Sequence, residues 1–207
     1  HYATNFIYYQ SENIYSAISK SHFSNFIHSP IKIENKIFFN ILFTEHMNYT
    51  ENRLNIFSCE FDDCSMSYDG DDVDHNFCRG GAIFYENENG YVTIIGSLFD
   101  NCKVINGDGG ALFICGKEGT SGYNMLHTSI KLFNTSYCCY SNCFATTRQS
   151  YDNNNAPNSG YGPIMLTFAE NTELFYCSSV YSNDNDITSY GAIFDLTSTN
   201  IRSNYIN

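Results

Sequence analysis

Basic residues are scarce in this chain: ten Lys and Arg stand against 22 Asp and Glu, giving a formal net charge of -12. A protein that holds nucleic acid needs a positive surface to displace counterions from phosphate, so this balance excludes that class of partner. It argues equally against anionic membrane surfaces. No long hydrophobic run is present, and the best of them, residues 37–43, is far too short to cross a bilayer. No stretch carries a sustained 3.6-residue apolar stripe, so helix should be scarce. Paired C-x-x-C ligands backed by histidine are missing as well. Cys138-Cys139 with Cys143 is the nearest approach, which argues against a zinc site.

What the chain does contain is aromatic and turn-forming. Tyr and Phe contribute 17 residues each, with no Trp, among abundant Asn and Ser. Aromatic and β-branched residues favour strands, while Asn, Ser, Asp and Gly favour the turns between them. An all-β protein follows. At 207 residues it reads as one domain, residues 1–207, long enough to build its own core.

Internal repetition refines this. Gly80-Gly81-Ala82-Ile83-Phe84 returns as Gly109-Gly110-Ala111-Leu112-Phe113. Degenerate copies lie at Tyr161-Gly162-Pro163-Ile164 and Tyr190-Gly191-Ala192-Ile193-Phe194. A second ladder sets Leu54, Ile56, Cys59, Phe61 and Cys64 against Val92, Ile94, Ser97, Phe99 and Cys102. One step back it meets Ile18, Ser21, Phe23 and Phe26. An equal step forward meets Ile130, Leu132, Thr135, Tyr137 and Tyr140, and a weaker copy follows at Leu174 and Cys177. Strands of constant pattern joined by variable connectors are the signature of a solenoid with insertions confined to loops. The obvious loops are residues 69–76, 116–123 and 148–159. The expected architecture is a right-handed parallel β-helix of roughly seven coils, with Ile31-Lys32-Ile33 through Phe43 counted as a coil without its glycines. Gly80, Gly81, Gly109 and Gly110 would mark sharp bends, and Phe61 and Phe99 an inward aromatic ladder. The competing fold is an antiparallel sandwich, which does not require like side chains to return at equivalent positions.

Gly-Gly-Ala-Ile/Leu followed by a strand and a Phe-x-x-Asn/Cys element, as in Phe99-Asp100-Asn101-Cys102 and Phe61-Asp62-Asp63-Cys64, resembles the repeats of the polymorphic outer-membrane-protein family. Such repeats also occur in surface proteins of some protists. The resemblance covers most of residues 50–195 and implies a β-helical surface or adhesion module. Phe23-Ser24-Asn25-Phe26 departs from the pattern.

Nine cysteines suggest an oxidising compartment with disulfides drawn from Cys59, Cys64, Cys78, Cys102, Cys115, Cys138, Cys139, Cys143 and Cys177. The odd count leaves one thiol free or paired to another chain, and stacking of cysteines across coils is the plainer alternative to reactivity. Sequons at Asn48 and Asn134 agree with secretion from a eukaryote. No signal peptide or initiator Met is visible at His1, and residues 201–207 stop without a polar capping element. The expectation is a piece of a longer extracellular or cell-surface chain.

Parallel β-helices also carry polysaccharide lyases and glycosidases. Hydrolysis needs two carboxylates flanking the bond, and adjacent acids such as Asp62-Asp63 point to opposite faces of a strand. His22, His28, His46, His75 and His127 recur at no shared repeat position, and no G-x-S-x-G element accompanies them. Arg79 is the only arginine near the acidic loop. No catalytic residue is assigned, and a carbohydrate-active enzyme is the alternative reading. In that loop Asp69, Asp71, Asp72 and Asp74 are candidate calcium ligands, although their spacing matches neither an EF-hand nor a nonapeptide repeat. No other cofactor is expected. The partners expected are other protein subunits, including copies of the same chain in a fibre, or surface glycans met by exposed tyrosines.

Overall fold

A computed structural model describes residues 7–10, 15–34, 52–67, 78–105, 107–117, 127–146, 164–180 and 194–204. Among these, strands alone form the regular structure, in six successive levels. The first level holds β1 (Ile7–Gln10), β2 (Tyr15–Ser19) and β3 (His22–Ser24). The second holds β4 (Ile31–Glu34), β5 (Asn52–Phe57), β6 (Glu60–Asp62) and β7 (Ser65–Ser67). The third holds β8 (Cys78–Arg79), β9 (Ile83–Glu86), β10 (Gly90–Ile95), β11 (Leu98–Asp100) and β12 (Lys103–Ile105). The fourth holds β13 (Gly107–Asp108), β14 (Leu112–Cys115), β15 (Ile130–Ser136), β16 (Cys139–Ser141) and β17 (Phe144–Ala145). Above them lie β18 (Met165–Phe175) with β19 (Ser178–Val180), and finally β20 (Phe194–Asn204).

Among the described residues every strand pairing is parallel and joins one level to the next. The largest sheet runs β1-β4-β9-β14-β18-β15-β10-β5-β2, with β20 on β18, and smaller sheets run β19-β16-β11-β6-β3, β17-β12-β7 and β13-β8. Among the described residues the one antiparallel contact is an isolated bridge, Lys117 to Thr128. An antiparallel sandwich cannot produce this pattern. β4 and β5 share a level because they pair with β9 and β10 of the next. Ile31 and Ile33 therefore open the level that Leu54 and Ile56 continue, and are not a coil of their own.

Register stacks like on like. Ile31, Ile83, Leu112 and Met165 form one inward file, and Leu54, Val92, Phe133 and Thr172 another, all fully buried. Phe23, Phe61, Phe99 and Tyr140 form an aromatic file. Its rings lie nearly parallel, with centroids 4.9, 4.7 and 5.0 Å apart. Where that file changes from Phe99 to Tyr140, the neighbouring file changes from Ile94 to Thr135, and the two hydroxyls meet at 2.8 Å. A buried phenol without a partner would be costly, so the two substitutions are chemically coupled.

The equal-step alignment fails at the fourth level. Ile94 faces Thr135 and Phe99 faces Tyr140, while Tyr137 lies on the surface. The cause is a break in alternation within β15: Ile130 and Phe133 face inward, but both Lys131 and Leu132 between them are only half-buried. β18 repeats the break at Glu170-Asn171. A two-residue period cannot see such a step.

Candidate functional site

The corners of the stack decide which side chains reach solvent. One corner places Lys20, Ser58, Gly96, Tyr137 and Tyr176 in the left-handed region, with φ of 49°, 52°, 63°, 54° and 55°. Their backbone N–H groups donate to the level above, Ser58 to Ile95 and Tyr137 to Phe175, each at 2.9 Å. A second corner uses Asn25, Asp63, Asn101 and Asn142, with φ from 50° to 57°. Asn and Asp tolerate this conformation best, and the Asn101 amide donates to the Asp63 carboxylate. Glycine was expected at the bends, but these two corners accept other residues, and a third carries glycine. There Gly80 and Gly109 have φ of 62° and 63°, and a Cβ on Gly109 would stand 2.2 Å from the Leu112 carbonyl oxygen. Gly81 follows Gly80 and donates its N–H to Gly110 at 3.0 Å, so this glycine pair packs backbone on backbone.

The residue after each of the first two corners turns inward and is repeatedly cysteine. Cys59, Cys138 and Cys177 follow one corner; Cys64, Cys102 and Cys143 follow the other. Each thiol donates to a carbonyl of the preceding level, at 3.6, 3.5 and 3.4 Å in both files. Ser97 takes the same place at the third level, where its hydroxyl donates to the Ile95 carbonyl and accepts from the Cys59 N–H. The position thus wants a small side chain with a donor. No cysteine is bridged to another in this structure, and all but Cys139 are buried. Burial pushes the Cys102 thiol well up from its ordinary value, and its contacts with the thiols of Cys143 and Cys64 push it further. The six corner thiols pack inside the stack, each bonded to a carbonyl.

A separate cluster covers the outer side of β9, β14 and β18. Phe84, Phe113, Cys115 and Leu166 are buried there, with the Arg79 guanidinium 4.8 Å above the Phe113 ring and 3.8 Å from Asp108. Burial draws Arg79 below its usual range, partly offset by Asp108. His127 sits edge-on to Phe113 and against Phe168, and burial plus the Arg79 charge lower its pKa to about 4.

The open face lies over β10, β15, β18 and β20. A groove of about 800 Å³ is lined there by Tyr91, Lys131, Glu170, Asn171, Glu173 and Arg202, among others. Lys131 pairs with Glu170, and Arg202 stands 4.0 Å from Glu173. Hydrogen bonding to Glu170 raises the Lys131 pKa. Asn171 donates to the Lys131 carbonyl and Asn200 to the Asn171 side chain, both at 3.1 Å. The Arg53 guanidinium stacks 4.9 Å from the centre of the Tyr91 ring. Further along the same strands Tyr137 and Tyr176 lie exposed and parallel, 4.9 Å apart.

Few of the residues singled out from sequence belong to this face. Asn134 does, its amide donating to Glu173 at 3.3 Å while Ser136 donates to its carbonyl oxygen. Asn48, Asp69, Asp71, Asp72 and Asp74 lie outside the described residues. Among the described residues no group of three or more His, Cys, Asp or Glu is placed to hold a metal. His22 is exposed, 4.0 Å from Glu60 on the next level. Tyr91, Glu170, Asn171 and Glu173 carried no motif; only their shared register assembles them. No family model matches the chain, and no curated protein or solved structure matches it.

Proposed function

We propose that the chain is a right-handed parallel β-helix, each level one coil, serving as a non-catalytic structural or adhesive module outside the cell or on its surface. The observation that carries the reading is the unbroken file of Phe23, Phe61, Phe99 and Tyr140, stacked through four levels of parallel strands. A stack in which each level buries its face on the next is stiff along its axis and leaves its outer faces for contact. Right-handedness is the form that parallel crossovers overwhelmingly take. The resemblance to outer-membrane-protein repeats, the sequons and the acidic surface support a surface location. The cysteine count supports it less, because six of the nine have a role as thiols at the corners. The free edge of β20, which pairs only with β18 among the described residues, suits addition of a further level or a second copy in a fibre.

The test is location and modification. Protein from its native source is mapped by mass spectrometry without reduction, and intact cells are labelled with an impermeant reagent. Surface labelling with a glycan at Asn48 or Asn134 is the expected result. An unmodified chain reached only after lysis would overturn the reading.

A further inference from the structure

We propose that the face spanning Tyr91, Glu170, Asn171, Glu173 and Asn200, flanked by the Tyr137–Tyr176 pair, binds a linear uncharged oligosaccharide. This rests on the adhesive reading and gives it a ligand class.

Three independent features point the same way. The first is polar density. At the break in alternation, two successive residues per strand face outward: Lys131-Leu132, Glu170-Asn171 and Thr199-Asn200. The amides of Asn171 and Asn200 form a ladder along the stack, and the Asn200 carbonyl oxygen is left to accept. Sugar hydroxyls both donate and accept, and amide and carboxylate groups at fixed spacing suit them.

The second is charge. Lys131 is matched by Glu170 and Arg202 by Glu173. Among the described residues the cations lining the groove, Lys131 and Arg202, both stand beside glutamates, and the neighbouring Arg53 stacks on Tyr91, so an uncharged ligand fits better.

The third is the tyrosine pair. Bulky residues rarely adopt the left-handed region, and the equivalent positions below carry Lys20, Ser58 and Gly96. Tyr137 and Tyr176 accept that strain while remaining 63% and 47% exposed. Tyr176 covers one face of Tyr137, and the equivalent corner below carries Gly96, with no side chain to cover the other, so that face is a platform for the apolar side of a sugar ring. The Asn171 and Asn200 amides also recur one level apart, about 4.8 Å, which matches a ligand that itself repeats.

The test is calorimetric titration of the folded chain with linear hexasaccharides of glucose, N-acetylglucosamine, xylose and mannose, with an oligogalacturonate as the anionic comparator. Binding to one neutral series, tightening with ligand length and unaffected by added salt, is expected. Tyr137→Asn with Tyr176→Asn should weaken it about tenfold, and Glu173→Gln likewise, roughly the value of one stacking or charge-assisted contact. Because asparagine suits the left-handed corner, the tyrosine variant should melt no lower than the parent. Absence of binding to every neutral series would overturn the proposal. So would binding only to the anionic chain with loss in salt, or binding indifferent to these variants. Such a failure leaves surface location standing, while an intracellular location sinks the adhesive reading whatever sugar binds.

Discussion

Removing one ring from the middle of the aromatic file tests the architecture most directly. Phe99 is fully buried, and its ring lies 4.7 Å from Phe61 and 5.0 Å from Tyr140, tilted by only 1° and 10°. Phe99→Ala loses the transfer energy of the ring and leaves a cavity between two levels, together about 3–5 kcal/mol. For a chain of this length each kcal/mol moves the melting temperature by about 2–4 °C. The expected fall in Tm is therefore on the order of 10 °C. Phe57, 37% exposed on the outer side of β5, is the control, and Phe57→Ala should cost under about 1 kcal/mol. Circular dichroism melts provide the first readout. Hydrogen exchange provides the second: amides of β6, β11 and β16 should lose protection together, because each level is held chiefly by its neighbours. Equal losses for Phe99→Ala and Phe57→Ala would refute the stacked core.

Three further outcomes are expected. Gly109→Ala should destabilise by at least about 1–2 kcal/mol from the left-handed backbone alone, whereas Gly96→Asn, with open space beyond a Ser58 contact at 3.7 Å, should leave the urea midpoint nearly unchanged. Titration of native protein with a thiol reagent should modify Cys139 promptly and all nine cysteines after unfolding; fewer than nine in denaturant would restore the disulfide expectation. His127 binds its proton more weakly folded than unfolded, so the unfolded state gains protons first as pH falls from about 6.5 to about 4. Stability should drop through that window, and His127→Phe should flatten the drop in urea titrations at several pH values.

Much of the stack is legible in the sequence because its inward positions keep strict periods. Leu54, Ile56, Cys59, Phe61 and Cys64 fall on Val92, Ile94, Ser97, Phe99 and Cys102 in the structure as they do in the alignment. The step fails at Leu132, which an alternating pattern turns inward but which stands level with Tyr91 on the outside. Two outward residues in succession leave no mark in composition. The cysteines mislead for a different reason: count and spacing cannot distinguish a bridge from a thiol that donates to a carbonyl. The groove is the least legible element. Tyr91, Lys131, Glu170 and Arg202 come from four strands, and nothing local announces that register will bring them together.

The joint between the two halves of each level has a further consequence. In β18 and β20 the halves run on as one strand, while below they are separated by residues 87–89, 116–129 or 35–51. The same junction has been left closed, opened by a tight turn and opened by long inserts, and the flanking pairings keep their register each time. That makes it a modular socket. Sequence grown there changes what the molecule presents without asking the core to be rebuilt, and a foreign peptide placed between Phe168 and Ala169 would use an opening the level below already has.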